Sequence, residues 1–366
     1  MKINYKNKIL IATGGTGGHV IPAYGLAKYL INRKYDISVA IDTRGLKFLK
    51  NHNNLKIKLI NSSTIFKKGP IKVIISIFQI TSALVISMIF LFRNKPKLIF
   101  GMGGYASFPI CLAAKLMGIN FIIYENNLCL GKANKYLLPF AYRLFTSYPD
   151  TEGVNKKYFS KTLHIGNIIR EEILNFEKNE RLKEANTLTI LVLGGSQAAK
   201  KFAEILPGIF KKCTKEKIKL KIIQQCLNSQ LDELESEYKA NDIECELFDF
   251  DFQIQKHFSK VDFVITRSGS SILAELLNCR IPFVSIPLPS STDNHQLKNA
   301  KYFERKGFSF LIEETYIEKN LFPLIKSIHK DKDLLSQMIN NQKLHSDENV
   351  FKKIENQISI LINDKN

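Results

Sequence analysis

Two loops in the first half of the chain carry residue types suited to acid–base chemistry. His19 closes the run Gly14-Gly15-Thr16-Gly17-Gly18 and precedes Pro22, a residue favoured in the first turn of a helix. At a helix N-terminus the dipole favours neutral imidazole, whose free nitrogen can accept a proton near pH 7. Glu125 follows an apolar, strand-like run, where it can orient such a base or replace it. The structural alternatives are a histidine that only hydrogen-bonds its loop and a carboxylate that caps a helix.

Residue types suited to binding a phosphorylated sugar lie in the second half of the chain. Arg267-Ser268-Gly269-Ser270-Ser271 offers a cation, hydroxyls and backbone N–H groups to a diphosphate. Glu275 follows about one helical turn later, where it can accept hydrogen bonds from sugar hydroxyls. Asp293-Asn294-His295-Gln296 groups four hydrogen-bonding side chains, as sugar recognition requires. The structural alternatives are a solvated helix start with a surface acid, and an ordinary polar turn.

Short β-branched runs that alternate with helical stretches must position these loops. Such alternation implies βαβ crossovers and a parallel sheet, and the polar stretch 149–187 separates the runs into two sets. The sequence therefore predicts an α/β fold of two Rossmann-like, doubly wound domains, with a binding cleft between them lined by carboxyl-end loops. The predicted strands are 8–12, 37–41, 57–61, 97–100, 120–124, 143–147, 188–193, 219–223, 243–248, 261–265, 282–286 and 308–311.

Glycine-rich loops follow four of these strands, where backbone N–H groups can face an anion. They begin at Gly14, Gly101, Gly194 and Arg267. The loops at Gly14 and Gly194 lack the GxxxxGK[ST] pattern, which disfavours a P-loop ATPase. A nicotinamide site remains an alternative, because Asp42 ends the second strand where a dinucleotide fold holds ribose. The first loop, however, lacks the third spaced glycine of GxGxxG.

The charge balance predicts an anionic partner. Lys and Arg total 53 against 34 Asp and Glu, a formal net charge of +19. Nucleic acid is the least favoured candidate, since the sequence has no RNP-like aromatic strand, zinc finger or evident recognition helix. The six cysteines form no CxxC pair, which predicts no zinc site and a reducing compartment. The N-terminus lacks the apolar core of an export signal.

One apolar segment, residues 73–92, interrupts the pattern with 20 uncharged residues. Its length suits a membrane span. Ser76, Gln79 and Ser82 fall at helical spacing as a narrow polar stripe, and a span here would divide the first sheet between two of its strands. Three interpretations stay open: a helix that packs on the sheet and dips into a membrane surface, a plain core helix, and a true span.

Taken in order, the motifs closely resemble glycosyltransferase family 28, in particular its bacterial lipid I N-acetylglucosaminyltransferases of the two-domain GT-B fold. The resemblance covers about residues 8–310. The motifs are GGTGGHVIPA at 14–23, GMGGYAS at 101–107, YENN at 124–127, GKANK at 131–135, LGGSQAA at 193–199, RSGSSILAE at 267–275 and TDNHQLKNA at 292–300.

This resemblance implies transfer of N-acetylglucosamine from UDP-N-acetylglucosamine (UDP-GlcNAc) to lipid I, undecaprenyl-diphospho-MurNAc-pentapeptide. The acceptor is the C4 hydroxyl of MurNAc, the anomeric configuration inverts, and the product is lipid II. The resemblance implies no required cofactor or metal, because protein donors stabilise the departing UDP. It also implies a peripheral position on the anionic cytoplasmic face of the inner membrane, through Ile77, Leu84 and Ile86. Other cell-wall synthesis proteins are expected as further partners, and nucleic acid is not.

The same resemblance assigns roles to individual residues. His19 is the candidate base and Glu125 its catalytic alternative, while Asn127 beside Glu125 is assigned to the donor. Ala198 replaces an expected glycine, which can narrow the diphosphate loop. The remaining donor residues are Thr16, Gly17, Gly18, Arg170, Ser196, Phe250, Arg267, Ser270, Ser271, Glu275, His295, Gln296 and Asn299. The acceptor residues are Gly14, Gly15, Gly103, Gly104 and Tyr105.

The expected domains are 1–164 for acceptor and membrane, 165–345 for the UDP-sugar, and 346–366 as a helix that packs back toward the first domain. Two other functions remain: a GT-B transferase with a different sugar or acceptor, and a nonenzymatic sugar-nucleotide-binding scaffold at the membrane.

Overall fold

The computed structural model describes residues 7–49, 55–60, 70–176, 186–251 and 253–363, without the side chains of 70–74, 196–199 and 363. The chain divides into two compact units, Met1–Glu171 with Asp347–Asn366, and Glu172–Ser346. The first boundary therefore lies after Glu171, whereas the sequence placed it after residue 164. The reason is that Ile165 and Ile168 are buried within the first unit.

The first unit contains a parallel sheet of seven strands in the order β3-β2-β1-β4-β5-β6-β7. Its strands are β1 (Lys8–Ala12), β2 (Asp36–Ile41), β3 (Lys56–Leu59), β4 (Leu98–Gly101), β5 (Phe121–Glu125), β6 (Arg143–Thr146) and β7 (Thr162–His164). Its helices are α1 (Gly17–Asn32), α2 (Thr43–Leu46), α3 (Pro70–Asn94), α4 (Gly104–Leu116), α5 (Lys132–Leu137) and the returning α14 (Val350–Asn363). The central strands are buried on both faces, which explains their unbroken runs of Ile, Leu and Phe.

The second unit contains a parallel sheet of six strands in the order β10-β9-β8-β11-β12-β13. Its strands are β8 (Thr187–Leu193), β9 (Lys219–Gln225), β10 (Glu244–Phe248), β11 (Phe263–Arg267), β12 (Phe283–Ile286) and β13 (Phe310–Leu311). Its helices are α6 (Glu171–Leu174, at the boundary), α7 (Gly195–Lys215), α8 (Leu231–Lys239), α9 (Gln255–Phe258), α10 (Ser270–Asn278), α11 (His295–Arg305), α12 (Ile317–Lys330) and α13 (Asp333–Gln342). Phe202, Phe210 and Phe263 lie in its core.

The predicted pair of Rossmann-like, doubly wound units is confirmed, with two corrections to the strands. Strand β7 was not predicted, because its three residues are at most half-buried at a sheet edge and sit in the polar stretch between the two sets. Glu125 and Arg267 are the last residues of β5 and β11, not the first residues of the loops that follow.

Helix α3 carries large apolar side chains on its exposed face as well as on the face that packs on the core. Ser76 and Ser87 are fully buried, and Ser87 donates to the carbonyl oxygen of Ala83 at 2.6 Å. Other large apolar side chains face outward, with Phe78 73% and Phe92 68% exposed. Gln79 is exposed, so the predicted polar stripe is not one face of the folded helix.

Among the residues that the structure describes, α3 is the one helix long and apolar enough to cross a membrane. It connects β3 to β4, however, and both strands belong to one sheet, through β2 and β1 respectively. A span would put the two ends of this connection on opposite sides of a bilayer. The topology therefore excludes the true-span interpretation.

Helix α14 completes the first unit. Its Phe351 stacks on Tyr29 of α1 at 4.6 Å between ring centroids, and the Tyr29 hydroxyl donates to Glu355 at 3.0 Å. Lys353 donates to the carbonyl oxygen of Ile165 at 3.3 Å. The end of the chain is thus part of the core that supports the first glycine loop.

Candidate active site

His19, the candidate base, is the third residue of α1 and lies against the loop between β4 and α4. A Cβ at position 103 would lie 3.0 Å from Cε1 and Nδ1 of the imidazole, and one at position 104 would lie 3.4 Å from its Cδ2. Gly103 and Gly104 have φ values of +83° and +73°, which favour glycine. The second glycine loop is therefore shaped to hold the imidazole.

Asp42 holds the first glycine loop from the end of β2. Its Oδ1 accepts hydrogen bonds from Gly15 N at 2.8 Å and Gly45 N at 2.9 Å, and its Oδ2 pairs with the Arg44 guanidinium. A Cβ at Gly14 would lie 2.6 Å from Asp42 Oδ1, so the loop needs glycine there. Both oxygens are engaged within the protein, which argues against the nicotinamide alternative, where this carboxylate would bind ribose.

Glu125 is buried, 2% exposed, and organises the loop that follows β5. Its Oε1 accepts from Asn127 N at 3.0 Å and Asn127 Nδ2 at 3.1 Å. Its Oε2 accepts from Gly131 N at 2.8 Å and Asn134 Nδ2 at 2.9 Å. Gly131 is the N-cap of α5, so the carboxylate has the helix-capping role that the sequence left as an alternative. Four hydrogen bonds to one carboxylate favour positioning over proton transfer.

The loop after β5 also contacts the loop after β1. Asn126 donates from Nδ2 to the carbonyl oxygen of Gly18 at 2.7 Å, which joins the loop of Glu125 to the residue before His19. Thr16 is the exposed N-cap of α1, and its carbonyl oxygen accepts from His19 N at 3.1 Å. Gly17 begins α1, and Tyr105 lies half-buried in the first turn of α4. The structure thus brings the predicted base and acceptor residues to one edge of the first sheet.

The loop that contains Arg170 is fixed by two buried side chains that had no predicted role. Asp347 accepts from Asn167 N at 2.9 Å and Asn167 Nδ2 at 3.3 Å. The Tyr124 hydroxyl accepts from Ile168 N at 3.0 Å and bonds to Ser147 Oγ at 2.6 Å. Burial raises the pKa of Tyr124, so the phenol keeps its proton.

The N-terminus of α7 forms the first predicted donor loop of the second unit. Gly195 has a φ of +63°, and its N–H donates to Gln225 Oε1 at 3.0 Å. The side chain of Ser196 lies outside the described residues, and so does that of Ala198. The loop geometry at Gly195 is therefore fixed from β9, by a glutamine that carried no motif.

The N-terminus of α10 forms the second predicted donor loop. Gly269 is its N-cap, and Ser270 and Ser271 are its first two residues. Ser270 and Glu275 are buried, and Ser271 is half-buried. A helix start of this kind attracts a diphosphate through its dipole and its N–H groups.

Arg267 does not have the surroundings of a diphosphate ligand. It is 5% exposed, and its guanidinium lies over the Phe202 ring at 4.5 Å. It forms an ion pair with Glu314 and donates toward the carbonyl oxygens of Ile286 and Pro287 at 3.4 Å each. Burial lowers the pKa of Arg267, and the ion pair with Glu314 opposes that shift. The assignment of Arg267 as a diphosphate contact is therefore corrected to a structural contact.

The predicted sugar residues fall into two groups. Gln296 Oε1 accepts from Leu288 N at 2.9 Å and Ser268 N at 3.3 Å, so it joins the loops after β12 and β11. Asn299 is fully buried and donates to the carbonyl oxygen of Ser268 at 3.3 Å, which makes it a support of that loop and not a sugar ligand. His295 is half-buried, and its Nδ1 lies 2.6 Å from the carbonyl oxygen of Thr292.

Phe250, the predicted uracil contact, lies beyond β10 and is 44% exposed. Nearby, Phe248 stacks on His257 at 4.8 Å, and His257 Nε2 lies 3.2 Å from Asp251 Oδ2. These contacts fix both flanks of Phe250 and leave part of its ring available to a planar base.

Comparisons with known proteins assign the chain to a family. Residues 9–146 match the glycosyltransferase family 28 N-terminal domain, and residues 189–358 match the C-terminal domain of that family. A protein of Pelagibacter ubique is 35% identical over 361 residues, 98% of this chain and 99% of its own. One from Francisella tularensis is 32% identical over the full length of both chains. Both are named UDP-N-acetylglucosamine–N-acetylmuramyl-(pentapeptide) pyrophosphoryl-undecaprenol N-acetylglucosamine transferase.

Solved structures show the same two-unit fold. The crystal structure of Acinetobacter baumannii MurG is 25% identical and matches with a TM-score of 0.75 over 97% of this chain and 99% of its own. The complex of Staphylococcus aureus MnaA with UDP is 17% identical with a TM-score of 0.69, covering 98% of this chain and 97% of its own, and it supports the fold alone. With both family domains matched in order along most of its length, the chain belongs to glycosyltransferase family 28.

Proposed function

We propose that this chain transfers N-acetylglucosamine from UDP-GlcNAc to the C4 hydroxyl of MurNAc in lipid I, forming lipid II. The observation that carries the proposal is the full-length relationship to transferases of that name, at 35% identity over 98% of the chain. The loops described above occupy the carboxyl edges of both sheets, where α/β proteins bind ligands.

In the proposed reaction, His19 accepts the proton of the C4 hydroxyl as its oxygen attacks the anomeric carbon of the donor. The bond from that carbon to the diphosphate oxygen breaks, and UDP leaves from the opposite face, so the configuration inverts. The developing negative charge on UDP is stabilised by Arg170 and by N–H groups at the starts of α7 and α10. Protein donors supply this stabilisation, so we propose that no metal is required.

The remaining site residues support the two substrates. We propose that Glu275 binds the ribose hydroxyls, Phe250 packs on the uracil, and His295 and the amide nitrogen of Gln296 bind the transferred sugar. Glu125 and Tyr105 shape the acceptor side, and Asn127 beside Glu125 contacts the donor.

The test is transfer of labelled N-acetylglucosamine to a short-chain lipid I analogue in the presence of EDTA. We expect transfer that EDTA does not diminish and that unlabelled UDP-GlcNAc suppresses more strongly than UDP-glucose or UDP-N-acetylgalactosamine. Saturable UDP binding without transfer to this acceptor would contradict the proposed acceptor and leave the fold intact.

We also propose that the outer face of α3 binds the anionic cytoplasmic membrane surface, where a polyprenyl-anchored acceptor resides. The exposed side chains include Ile77, Phe78 and Ile86. A groove of about 240 Å³ on this face is lined by Lys58, Ile86, Ile89, Phe90 and Arg93, so cations border the apolar surface. Leu84 is half-buried and packs on the core, so it contributes less than the sequence suggested.

Replacing Ile77, Phe78 and Ile86 together by serine is expected to lower sedimentation with anionic vesicles by at least about tenfold. The reason is that three large apolar side chains would no longer be transferred from water into the membrane surface. UDP affinity should stay unchanged. The matched control replaces Leu344 and Ile360, which are exposed elsewhere, and should sediment like the wild type. Equal sedimentation of the α3 variant would contradict this membrane surface.

A further inference from the structure

We infer that Arg267 is a positioning residue that holds the donor-binding loops of the second unit in place, and that it does not itself bind the diphosphate. This inference rests on the proposed function, because that function places UDP-GlcNAc on these loops. It goes further by naming the ion pair of Arg267 and Glu314 as the device that sets the geometry of the diphosphate site.

The contacts of Arg267 reach three separate segments besides its own strand. The face of the guanidinium lies 4.5 Å from the ring centroid of Phe202 on α7. Nη1 points to the carbonyl oxygens of Ile286 and Pro287, where β12 ends. Nη2 pairs with Glu314, in the short turn after β13. Arg267 itself ends β11, so one side chain connects segments that follow or extend four neighbouring elements of the sheet.

Three of these segments lead into a proposed donor contact. Helix α7 begins at Gly195, the end of β12 leads to Gln296, and Arg267 is followed directly by Ser268 and the N-terminus of α10. Gln296 already joins two of these loops through its hydrogen bonds to Ser268 N and Leu288 N. A shift of the guanidinium would therefore move several diphosphate and sugar donors together.

The same contacts make Arg267 a poor ligand for the diphosphate. Glu314 balances the charge of Arg267, Phe202 covers one face of its guanidinium, and the residue is 5% exposed. A phosphate ligand normally presents its planar fork of N–H groups to the anion. Here the two terminal nitrogens of the fork already point to protein oxygens.

The deciding variant is Glu314→Gln, for which the two roles predict opposite results. If Arg267 were a diphosphate ligand, removing its counter-charge would leave it more positive, and UDP would bind as tightly as before or more tightly. If Arg267 positions the loops, the buried guanidinium loses its partner and the loops shift. We then expect the dissociation constant for UDP to rise by about tenfold or more.

Isothermal titration with UDP and with uridine separates the diphosphate from the nucleoside. In the proposed function uridine contacts Phe250, which lies beyond the end of β10, so its dissociation constant should change by no more than about twofold in Glu314→Gln. Arg267→Lys should behave in the same way as Glu314→Gln, because an ammonium group cannot replace the planar fork. Glu216→Gln, which breaks the exposed pair with Lys326 in the same unit, is the matched control and should leave both constants unchanged.

Circular dichroism and thermal unfolding establish that each variant is folded before titration. Tighter or equal UDP binding by Glu314→Gln, or an equal loss of uridine and UDP affinity, would overturn the positioning role. Absence of UDP binding by the wild-type chain would overturn the proposed donor and this role with it. Wild-type UDP binding without transfer to lipid I would overturn only the acceptor, and the Glu314→Gln result would still decide the role of Arg267.

Discussion

Replacing His19 by alanine is expected to lower the rate constant for sugar transfer by about a thousandfold, within the range for loss of a general base. The acceptor hydroxyl would then have to lose its proton to water during attack. Donor affinity should stay near the wild-type value, because the proposed contacts of UDP lie on the second unit and on the loop of Arg170. The measurement pairs steady-state transfer kinetics with titration of UDP.

His19→Gln separates chemistry from packing, since the imidazole also fills the space beside Gly103 and Gly104. The amide occupies much of that space but does not accept a proton near pH 7, so the rate should remain low. His329→Ala, on α12 of the second unit, serves as the histidine control and should retain full activity. Transfer by His19→Gln within tenfold of the wild-type rate would mean that the histidine only packs on its loop.

Replacing Glu125 by glutamine is expected to lower the free energy of unfolding by about 2–3 kcal/mol, together with the transfer rate. Each carboxylate oxygen accepts two hydrogen bonds from N–H groups, and an amide would turn one of those oxygens into a competing donor. The loop over residues 126–131 should then lose its fixed shape. Chemical denaturation measures the stability, and the transfer assay measures the rate.

Stability decides between the two roles considered for Glu125. A catalytic base can be replaced by its amide with loss of rate and little loss of stability, whereas a loop-fixing carboxylate cannot. Glu348→Gln, an exposed glutamate of the same unit, is the control and should change neither quantity. Wild-type stability with a thousandfold loss of rate in Glu125→Gln would identify Glu125 as the base in place of His19.

The strands and the glycine loops could be predicted from sequence because both are encoded locally. Buried parallel strands are continuous apolar runs, and a strand-to-helix turn that faces an anion needs glycine. Strand β7 was not predicted, because its three edge residues, one of them exposed, do not form a continuous apolar run. The polar stripe predicted for α3 was wrong, because polar residues at helical spacing usually mark a solvent face, whereas Ser76 is buried.

The roles of polar side chains were harder to predict, since residue type does not reveal which partner a group has. Arg267 and Asn299 stand in loops that suit ligand binding, but tertiary contacts with Glu314 and with Ser268 occupy them. Asp347 carried no signal, because its partner Asn167 lies 180 positions earlier in the chain. Only the folded backbone brings such pairs together.

The discontinuous first unit also sets the order in which the protein can mature on the ribosome. The segment from Asp347 on, which fixes the loop at Asn167 and packs against Tyr29, is synthesised after the whole of Glu172–Ser346. The second unit is continuous in sequence and can fold as soon as it has left the ribosome. The first unit cannot complete its fold until α14 has been synthesised, and one flank of α1 stays uncovered until then. Nascent chains stalled in α13 should therefore have a protease-resistant second half and a protease-sensitive first half.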